Sequence, residues 1–483
     1  MGKNSSHGER GYGTMNSRVT CIYQALPYTF RCLGASLWGY HLRMLRYGPE
    51  TERLVAEALE REFWDASQWK AWRDEKLPDF LEDAARKVPY YRAMWESRRK
   101  QGDLSDWRDL QNWPTLSKEE VRSNPQAFLR ESGRRETLYL ESTGGTTGTP
   151  LKLWQSRDTL REWYALFEAR WRRWYGVSRH DRWAIIGAQK IVGPAARKPP
   201  FWVWNAGSNQ LYISCYHLFP EFIPECLEAV RKCRAVYLLG YTSALHFLAC
   251  EILERNLTVP PLKVVITNAE PVSPSQKAAM EKAFRCPVRE TYGMSEMGAA
   301  AGECEKGVLH LWPETGYLEV LEQGVHVPAG QIGELITTGF IHRDMPLIRY
   351  ETGDRLSLAP EDAPPCACGR KLPAIRAFDG RKHDVLSLRD GRKVWYFNPV
   401  FSGLPVRESQ IVQEKLDVFS VVMNCSRPLS AEEEQAVIQR MKNLTGPALI
   451  QIQYSRLIPR GSNGKFRAVI SRMSKDEAPS DKL

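Results

Sequence analysis

Apolar positions recur at helical spacing from Glu52 to Arg99, through Leu54, Ala58, Phe63, Trp69, Trp72, Leu77, Phe80, Leu81 and Ala84. This pattern predicts a helical layer that ends at Val88-Pro89-Tyr90-Tyr91, where proline would interrupt the backbone ladder. In Thr115-Leu116-Ser117-Lys118-Glu119-Glu120 a serine precedes a glutamate by three positions, the arrangement of a capping box that opens a further helix. Beyond Thr137 the period changes. Short apolar runs (Thr137 to Leu140, Trp183 to Ile186, Ala235 to Leu239, Val264 to Asn268) alternate with helical patterns (Leu160 to Tyr175, Phe222 to Cys233, Leu245 to Glu254). Such alternation predicts an α/β region with a largely parallel sheet. From Gly316 to Arg355 the reading is mostly β, with turns at Gly324 and Ala329-Gly330. The last hundred residues read as a small α+β unit, with strands Val418 to Met423 and Ile450 to Tyr454 around a helix from Ala431 to Asn443. The chain as a whole is α/β, α+β overall. Three segments are expected: 1–100 as an N-terminal helical segment packed on the large domain, 101–379 as the core, and 380–483 as a mobile C-terminal domain.

A length of 483 residues fits this division, since a domain usually takes about 100–200 residues. With 43% apolar and 26% charged residues the composition is globular. Eleven cysteines, an odd number and mostly isolated in apolar segments, argue against a disulfide framework and for a reducing cytoplasm. Val19 to Tyr47 is apolar and aromatic, but Arg31, His41, Arg43 and Arg46 interrupt it, so it reads as a docking segment and no transmembrane span is expected. No signal peptide with a small-residue cleavage site is legible. The net charge of +10 is dispersed among acids without a nucleic-acid motif, so polyanionic small ligands, not nucleic acid, account for it. The oligomeric state is open, a dimer included.

The segment with the clearest chemistry is Ser142-Thr143-Gly144-Gly145-Thr146-Thr147-Gly148-Thr149-Pro150. Gly144, Gly145 and Gly148 let the backbone approach a phosphate closely, and Ser142, Thr143, Thr146 and Thr147 add hydroxyl donors. The Gly-Lys of a P-loop and the dinucleotide spacing are both absent. Taken alone, a flexible hairpin turn would explain the same composition.

The segment resembles the first signature of the adenylate-forming superfamily, followed by Lys152. Four further segments match that superfamily in order. Asn268-Ala269-Glu270-Pro271 resembles its adenine-pocket loop, and Glu290-Thr291-Tyr292-Gly293-Met294-Ser295-Glu296 its aromatic signature. Arg349-Tyr350-Glu351-Thr352-Gly353-Asp354 resembles the ribose-binding signature, and Asn463-Gly464-Lys465-Phe466-Arg467 the loop of the catalytic lysine. The resemblance is nearest to the phenylacetate-CoA ligase family and its CapK-like branch, and extends to Leu239-Gly240-Tyr241-Thr242-Ser243-Ala244-Leu245 and Gln410-Ile411-Val412-Gln413. It implies ATP-dependent, AMP-forming activation of a carboxylic acid and then transfer to a thiol, coenzyme A first, after rotation of the C-terminal domain. Lys465 and Glu296 would be catalytic, with Glu296 also holding Mg²⁺ as a hard oxygen ligand. Ala269, Glu270, Tyr292 and Gly293 would frame adenine, Tyr292 offering a ring face for stacking. Asp354 and Arg381 would hold the ribose hydroxyls. The hinge falls at His383 or Asp384. Ser387 to Lys393 replaces the usual glycine-rich segment of thioester-forming relatives, so an amine or sugar acceptor stays open beside the thiol. A catalytically reduced nucleotide-binding protein is the reading from another class.

Cys304, His310, Cys366 and Cys368 supply three sulfurs and an imidazole, a closed tetrahedral set suited to a structural Zn²⁺. Unrelated buried thiols are the plain alternative, and His326 or His342 could replace His310. For the acid, residues between Ile185 and Tyr241 are expected beside the α-phosphate. Trp202, Trp204, Tyr212, Tyr216 and His217 are candidates for an aromatic wall, with Tyr241 at its end, although ordinary core packing would also use them.

Overall fold

The computed structural model describes residues 10–11, 17–131, 138–143, 150–193, 195–360, 363–381, 386–390, 392–394, 397–461 and 464–473. The chain opens with β1 (Arg10–Gly11) and the helices α1 (Ser17–Ala25), α2 (Tyr28–Arg46), α3 (Thr51–Glu60), α4 (Ala66–Lys87) and α5 (Pro89–Lys100). The helical layer therefore does not stop at Val88-Pro89. Val88 is an extended linker and Pro89 begins a new helix, because a proline in the first turn forfeits no intrahelical hydrogen bond. Val88, Tyr91 and Trp95 pack with Trp113 and Phe128 in a core under this layer. The predicted capping box is present at α6 (Lys118–Ser123), where Ser117 accepts from the backbone N–H of Glu120 and the Glu120 carboxylate accepts from that of Ser117.

A small sheet follows, with β2 (Tyr139–Ser142) antiparallel to β3 (Lys152–Gln155), then α7 (Arg157–Trp171). The alternating region supplies β4 (Trp183–Gly187), β5 (Trp202–Asn205), β6 (Gln210–Ser214), α8 (Ile223–Lys232), β7 (Tyr237–Tyr241), α9 (Thr242–Glu254), β8 (Val264–Asn268), α10 (Pro274–Phe284) and β9 (Val288–Gly293). Strands β6, β4, β7, β8 and β9 run parallel in that order, and β5 is an antiparallel edge. Their apolar inner residues, Ala184, Ile186, Leu238 and Val265, are buried beneath α8, α9 and α10. The β region adds β10 (Ala300–Glu303), β11 (Leu309–Leu311), β12 (Gly316–Glu322), β13 (Val325–His326), β14 (Gly333–Gly339), β15 (Tyr350–Leu358) and β16 (Ala374–Arg381). It joins the parallel strands through the antiparallel pair β9–β10 into one 13-stranded sheet.

The C-terminal unit holds β17 (Leu386–Ser387), β18 (Lys393–Val394), α11 (Asn398–Phe401), β19 (Val406–Lys415), β20 (Val418–Cys425), α12 (Ala431–Thr445), β21 (Leu449–Tyr454) and β22 (Val469–Ser471). Its four-stranded sheet runs β21-β20-β19-β22 and has a core of its own around Phe419, Val421, Met423, Val437 and Met441. Three glutamates in the first turn of α12 suit the positive end of the helix, and Ser430 caps it.

Candidate functional site

In an open parallel sheet, ligands bind beyond the carboxyl ends of the strands, where the loops leave exposed backbone groups. Here those ends are Gly187, Ser214, Tyr241, Asn268 and Gly293. Residues 144–149 of the phosphate loop lie outside the described residues, so Gly144, Gly145, Thr146, Thr147 and Gly148 have no placement. Its neck is defined. Ser142 pairs with Lys152 across β2–β3. The backbone N–H of Thr143 donates to Leu151 O at 2.9 Å, and the Leu151 N–H donates to Thr143 Oγ1 at 3.0 Å.

Ala269 follows β8 with φ +65°, a left-handed conformation that is costly for alanine and turns the chain across the strand ends. Glu270 has a role beyond the one its motif suggested. Its carboxylate accepts from the Ser243 N–H at the start of α9 and from the Phe466 N–H, both at 2.7 Å. Thr242 Oγ1 donates to its carbonyl at 2.8 Å. Glu270 thereby ties the C-terminal loop to the sheet. Gly464, at φ +73°, sits so close that a Cβ there would lie 2.4 Å from Ala188 Cβ and 2.9 Å from Cys215 Sγ. Lys465 is held between these two contacts, over the ends of β4, β6 and β8. Arg407 reinforces the docking by pairing with Glu251, at 3.1 Å, and with Glu254 on α9. Burial pushes the Cys215 thiol up to about 12, so it packs as a neutral group.

The second cluster lies at β9 and β15. Tyr292 donates from its hydroxyl to Asp354 Oδ2 at 2.8 Å, and Asp354 is the cross-strand backbone partner of Arg381. The two ribose candidates are thus brought together by the β15–β16 register. Gly293 stands at the end of β9, where a Cβ would meet Trp171 at 3.0 Å. The buried Glu296 accepts at Oε1 from Tyr350 Oη at 3.0 Å and lies 3.4 Å from Lys118 Nζ. Tyr350 and Lys118 were not singled out in the sequence. Tyr350 sits inside the ribose signature, whereas Lys118 precedes Glu296 by 178 residues and carries no local signal. Beneath this layer Arg349 forms a buried two-pronged pair with Glu319, both contacts at 3.0 Å, and donates to Trp113 O. That pair fixes the start of β15 against the helical layer. Burial also pushes the carboxyls of Glu141 and Glu290 up to about 7.

The acid-side candidates are less unified. Tyr216 is half-buried, its hydroxyl pushed up to about 12 by burial, and Tyr241 ends β7. Both pack on the core cluster that also holds Cys215. The buried His217 engages both ring nitrogens, Nδ1 with Ser214 Oγ at 2.8 Å and Nε2 with Gly193 O at 3.2 Å, and stacks on Phe201. Its geometry pins the loop after β4. Trp204 pairs in register with Leu211, toward the amino ends of the parallel strands, under the Arg182 guanidinium. Trp202, opposite Ile213, is the tryptophan nearer the carboxyl ends. Tyr212 is buried, and its hydroxyl accepts from the Gln189 N–H at 2.8 Å.

Cys304, His310, Cys366 and Cys368 converge, with ligand atoms all within 4.8 Å of one another. The Cys304 and Cys366 sulfurs are 3.7 Å apart, and Cys368 Sγ is 3.4 Å from His310 Nε2. Bonds of about 2.3 Å to sulfur and 2.0–2.1 Å to nitrogen in a tetrahedron give edges of roughly 3.5–3.8 Å. His310 Nδ1 lies 3.1 Å from Leu372 O, which suits donation there and presents Nε2 as the ligand atom. The donor set therefore fits zinc. His326 instead pairs with Glu319, and His342 Nδ1 faces Met345 O. The knuckle is tied to the helical layer by Arg370, whose guanidinium contacts the buried Glu62 at 3.0 Å.

Residues 388–472 match the family model for the CapK C-terminal domain. Over 412 residues the chain is 28% identical to protein CapK of Staphylococcus aureus, covering 83% of this chain and 88% of that one. It is 25% identical to a phenylacetate-coenzyme A ligase of Thermus thermophilus over 426 residues, covering 82% and 87%. Among solved structures, 2-hydroxyisobutyryl-CoA ligase with 2-HIB-AMP in its postadenylation state aligns with a TM-score of 0.63 at 19% identity, covering 86% and 92% of the two chains. Its thioesterification state aligns with a TM-score of 0.52. These alignments establish a common fold.

Proposed function

Because the chain belongs to the CapK-like branch of the phenylacetate-CoA ligase family, within the adenylate-forming superfamily, we propose that it activates a carboxylic acid with ATP and transfers the acyl group to a thiol, coenzyme A first. The observation that carries this reading is the seating of the Lys465 loop. Gly464 against Ala188 and Phe466 on Glu270 hold a lysine over the strand ends, beside the Asn268–Pro271 segment.

In the first half-reaction a carboxylate oxygen of the acid attacks the α-phosphorus of ATP, and the bond to pyrophosphate breaks. Lys465 offsets the negative charge gathered on the attacking carboxylate and the α-phosphate, an electrostatic effect strongest in a water-poor site. Ser142, Thr143 and the loop they lead into, with Lys152, hold the outgoing phosphates. Tyr292 stacks on adenine beside Ala269, Glu270 and Gly293, while Asp354 and Arg381 take the ribose hydroxyls. Glu296 would hold Mg²⁺ as an oxygen ligand, with Tyr350 and Lys118 orienting its carboxylate. In the second half-reaction the acceptor sulfur attacks the acyl carbon and AMP leaves. The junction is proposed at residues 379–380, with the hinge at His383 or Asp384, both outside the described residues. Tyr216 and Tyr241 are proposed to line the acid pocket, with His217 shaping it through the loop and Trp204 acting from further off. Zn²⁺ is proposed at Cys304, His310, Cys366 and Cys368 as a structural ion.

A second reading, transfer to an amine or sugar, rests on the segment Ser387 to Lys393, most of which lies inside the CapK-type match and departs from the glycine-rich pattern. A reduced, non-catalytic role sits poorly with the occurrence of Lys465, Glu296 and Asp354 together in one sequence. The eleven free cysteines support a reducing compartment. The test is pyrophosphate exchange into ATP across aryl, fatty, hydroxy and amino acids. Exchange should depend on one acid class, and added coenzyme A should yield its thioester by mass. An amide with an amino sugar and no thioester would select the second reading. No exchange with any acid would refute both.

A further inference from the structure

The outer face of α2 carries Phe30, Leu33, Leu37, Tyr40 and Met44, spaced by three or four residues and 58%, 56%, 66%, 60% and 55% exposed. They form one apolar stripe along the helix. Ile22 on α1 and Leu26 just after it continue the stripe at 66% and 38% exposure. The opposite face is fixed to the protein. Leu42 and Leu45 are buried, and Gly39 packs so tightly on Asn205 that a Cβ would lie 1.9 Å from its side-chain oxygen. A rigid element thus presents this stripe to the surroundings, and a continuous apolar stripe of this length marks an interaction surface.

Charge identifies the partner. Neither Asp nor Glu occurs from Arg10 to Pro49, nor from Arg182 to Pro220. The second stretch contains the loop that lies alongside α1 and α2, tied by Gln24 Nε2 donating to Lys190 O at 2.6 Å and by Arg31 Nη1 donating to Ile191 O at 3.3 Å. That loop exposes Lys190, Arg197 and Lys198, and α2 exposes Arg43. In a second copy of this face, these two stretches would meet cations with cations and offer no acid of their own to pair them. No described helix is long and apolar enough to cross a membrane. An apolar stripe flanked by these exposed cations is the chemistry that lies on an anionic lipid surface.

We propose that the outer face of α1 and α2, with Lys190, Arg197 and Lys198 beside it, docks on an anionic phospholipid bilayer, with the apolar stripe entering the headgroup boundary. The full chain should sediment with vesicles containing phosphatidylglycerol and far less with phosphatidylcholine alone, and rising salt should weaken the binding. The double variant Leu33→Glu/Leu37→Glu should lose on the order of tenfold or more in partition. Lys190→Glu/Lys198→Glu should lose severalfold on anionic vesicles only. Leu104→Glu, at an exposed leucine after α5, should bind as the parent does. All variants change exposed side chains, so thermal unfolding should match the parent. The proposal is overturned if the chain stays in the supernatant with both vesicle types, or if Leu33→Glu/Leu37→Glu binds unchanged. A concentration-dependent dimer that this variant dissociates, without vesicle binding, would overturn it in favour of a second copy.

Discussion

The proposed nucleotide side and the proposed acid side of the site both lie at strand ends of the large sheet but are built differently. On the nucleotide side short polar contacts link distant segments: Tyr292 to Asp354, Tyr350 and Lys118 to Glu296, Phe466 to Glu270. Around the acid side Tyr216, Tyr241 and Cys215 pack as half-buried or buried apolar bodies, and His217 turns its nitrogens to its own loop. Phosphate, ribose and adenine need particular donors at particular places, so that side carries motifs. An apolar acid needs shape, which many side chains can supply. A ligase can therefore keep one side and vary the other to change its substrate.

The comparison predicts large losses from few atoms on the nucleotide side and altered preference on the acid side. Gly464→Ala should reduce exchange by about 10²-fold with unchanged thermal stability, because a methyl group 2.4 Å from Ala188 keeps the loop from seating. Full activity in this variant would mean that the docked loop is not the reacting arrangement. Next in size, Asp354→Asn should raise KM for ATP by roughly tenfold and leave the ranking of acids unchanged, since an amide weakens a charge-assisted hydrogen bond. Conversely Tyr216→Ala should reorder the acid panel while KM for ATP moves less than about twofold. A change confined to ATP would invert the assignment of the two sides.

The smallest effect concerns pH. Burial raises the Glu290 carboxyl to about 7 from an ordinary 4.5. Between those values the folded chain binds the extra proton, so stability falls as pH rises through the window. In Glu290→Gln the melting temperature should fall less from pH 4.5 to 7 than in the parent. Equal slopes would show that Glu290 is not protonated in the folded state.

How far the sequence foretold this arrangement depended on the range of each interaction. Val264–Asn268 is a strand with the expected limits, and the Ser117 capping box forms as read, because alternation and capping are local. The quartet around Cys304 was legible because soft donors are rare. Val88-Pro89 misled because proline both ends and begins helices, and the pattern beyond it decides which. Lys118 at Glu296 and the clamp of Glu270 on Phe466 join residues 178 and 196 positions apart, for which no local period exists. Sequence proximity groups Trp204 with the acid wall, whereas strand register sets its height, and that follows only once β5 pairs with β6.

The most direct test separates the two half-reactions at Lys465. In Lys465→Ala, acid-dependent pyrophosphate exchange should fall by about 10²–10³-fold. The same variant, given a synthetic acyl-adenylate and the acceptor, should release AMP at a rate close to that of the parent, since the proposed role of Lys465 is confined to the α-phosphate in the first step. Exchange undiminished in Lys465→Ala would contradict the account.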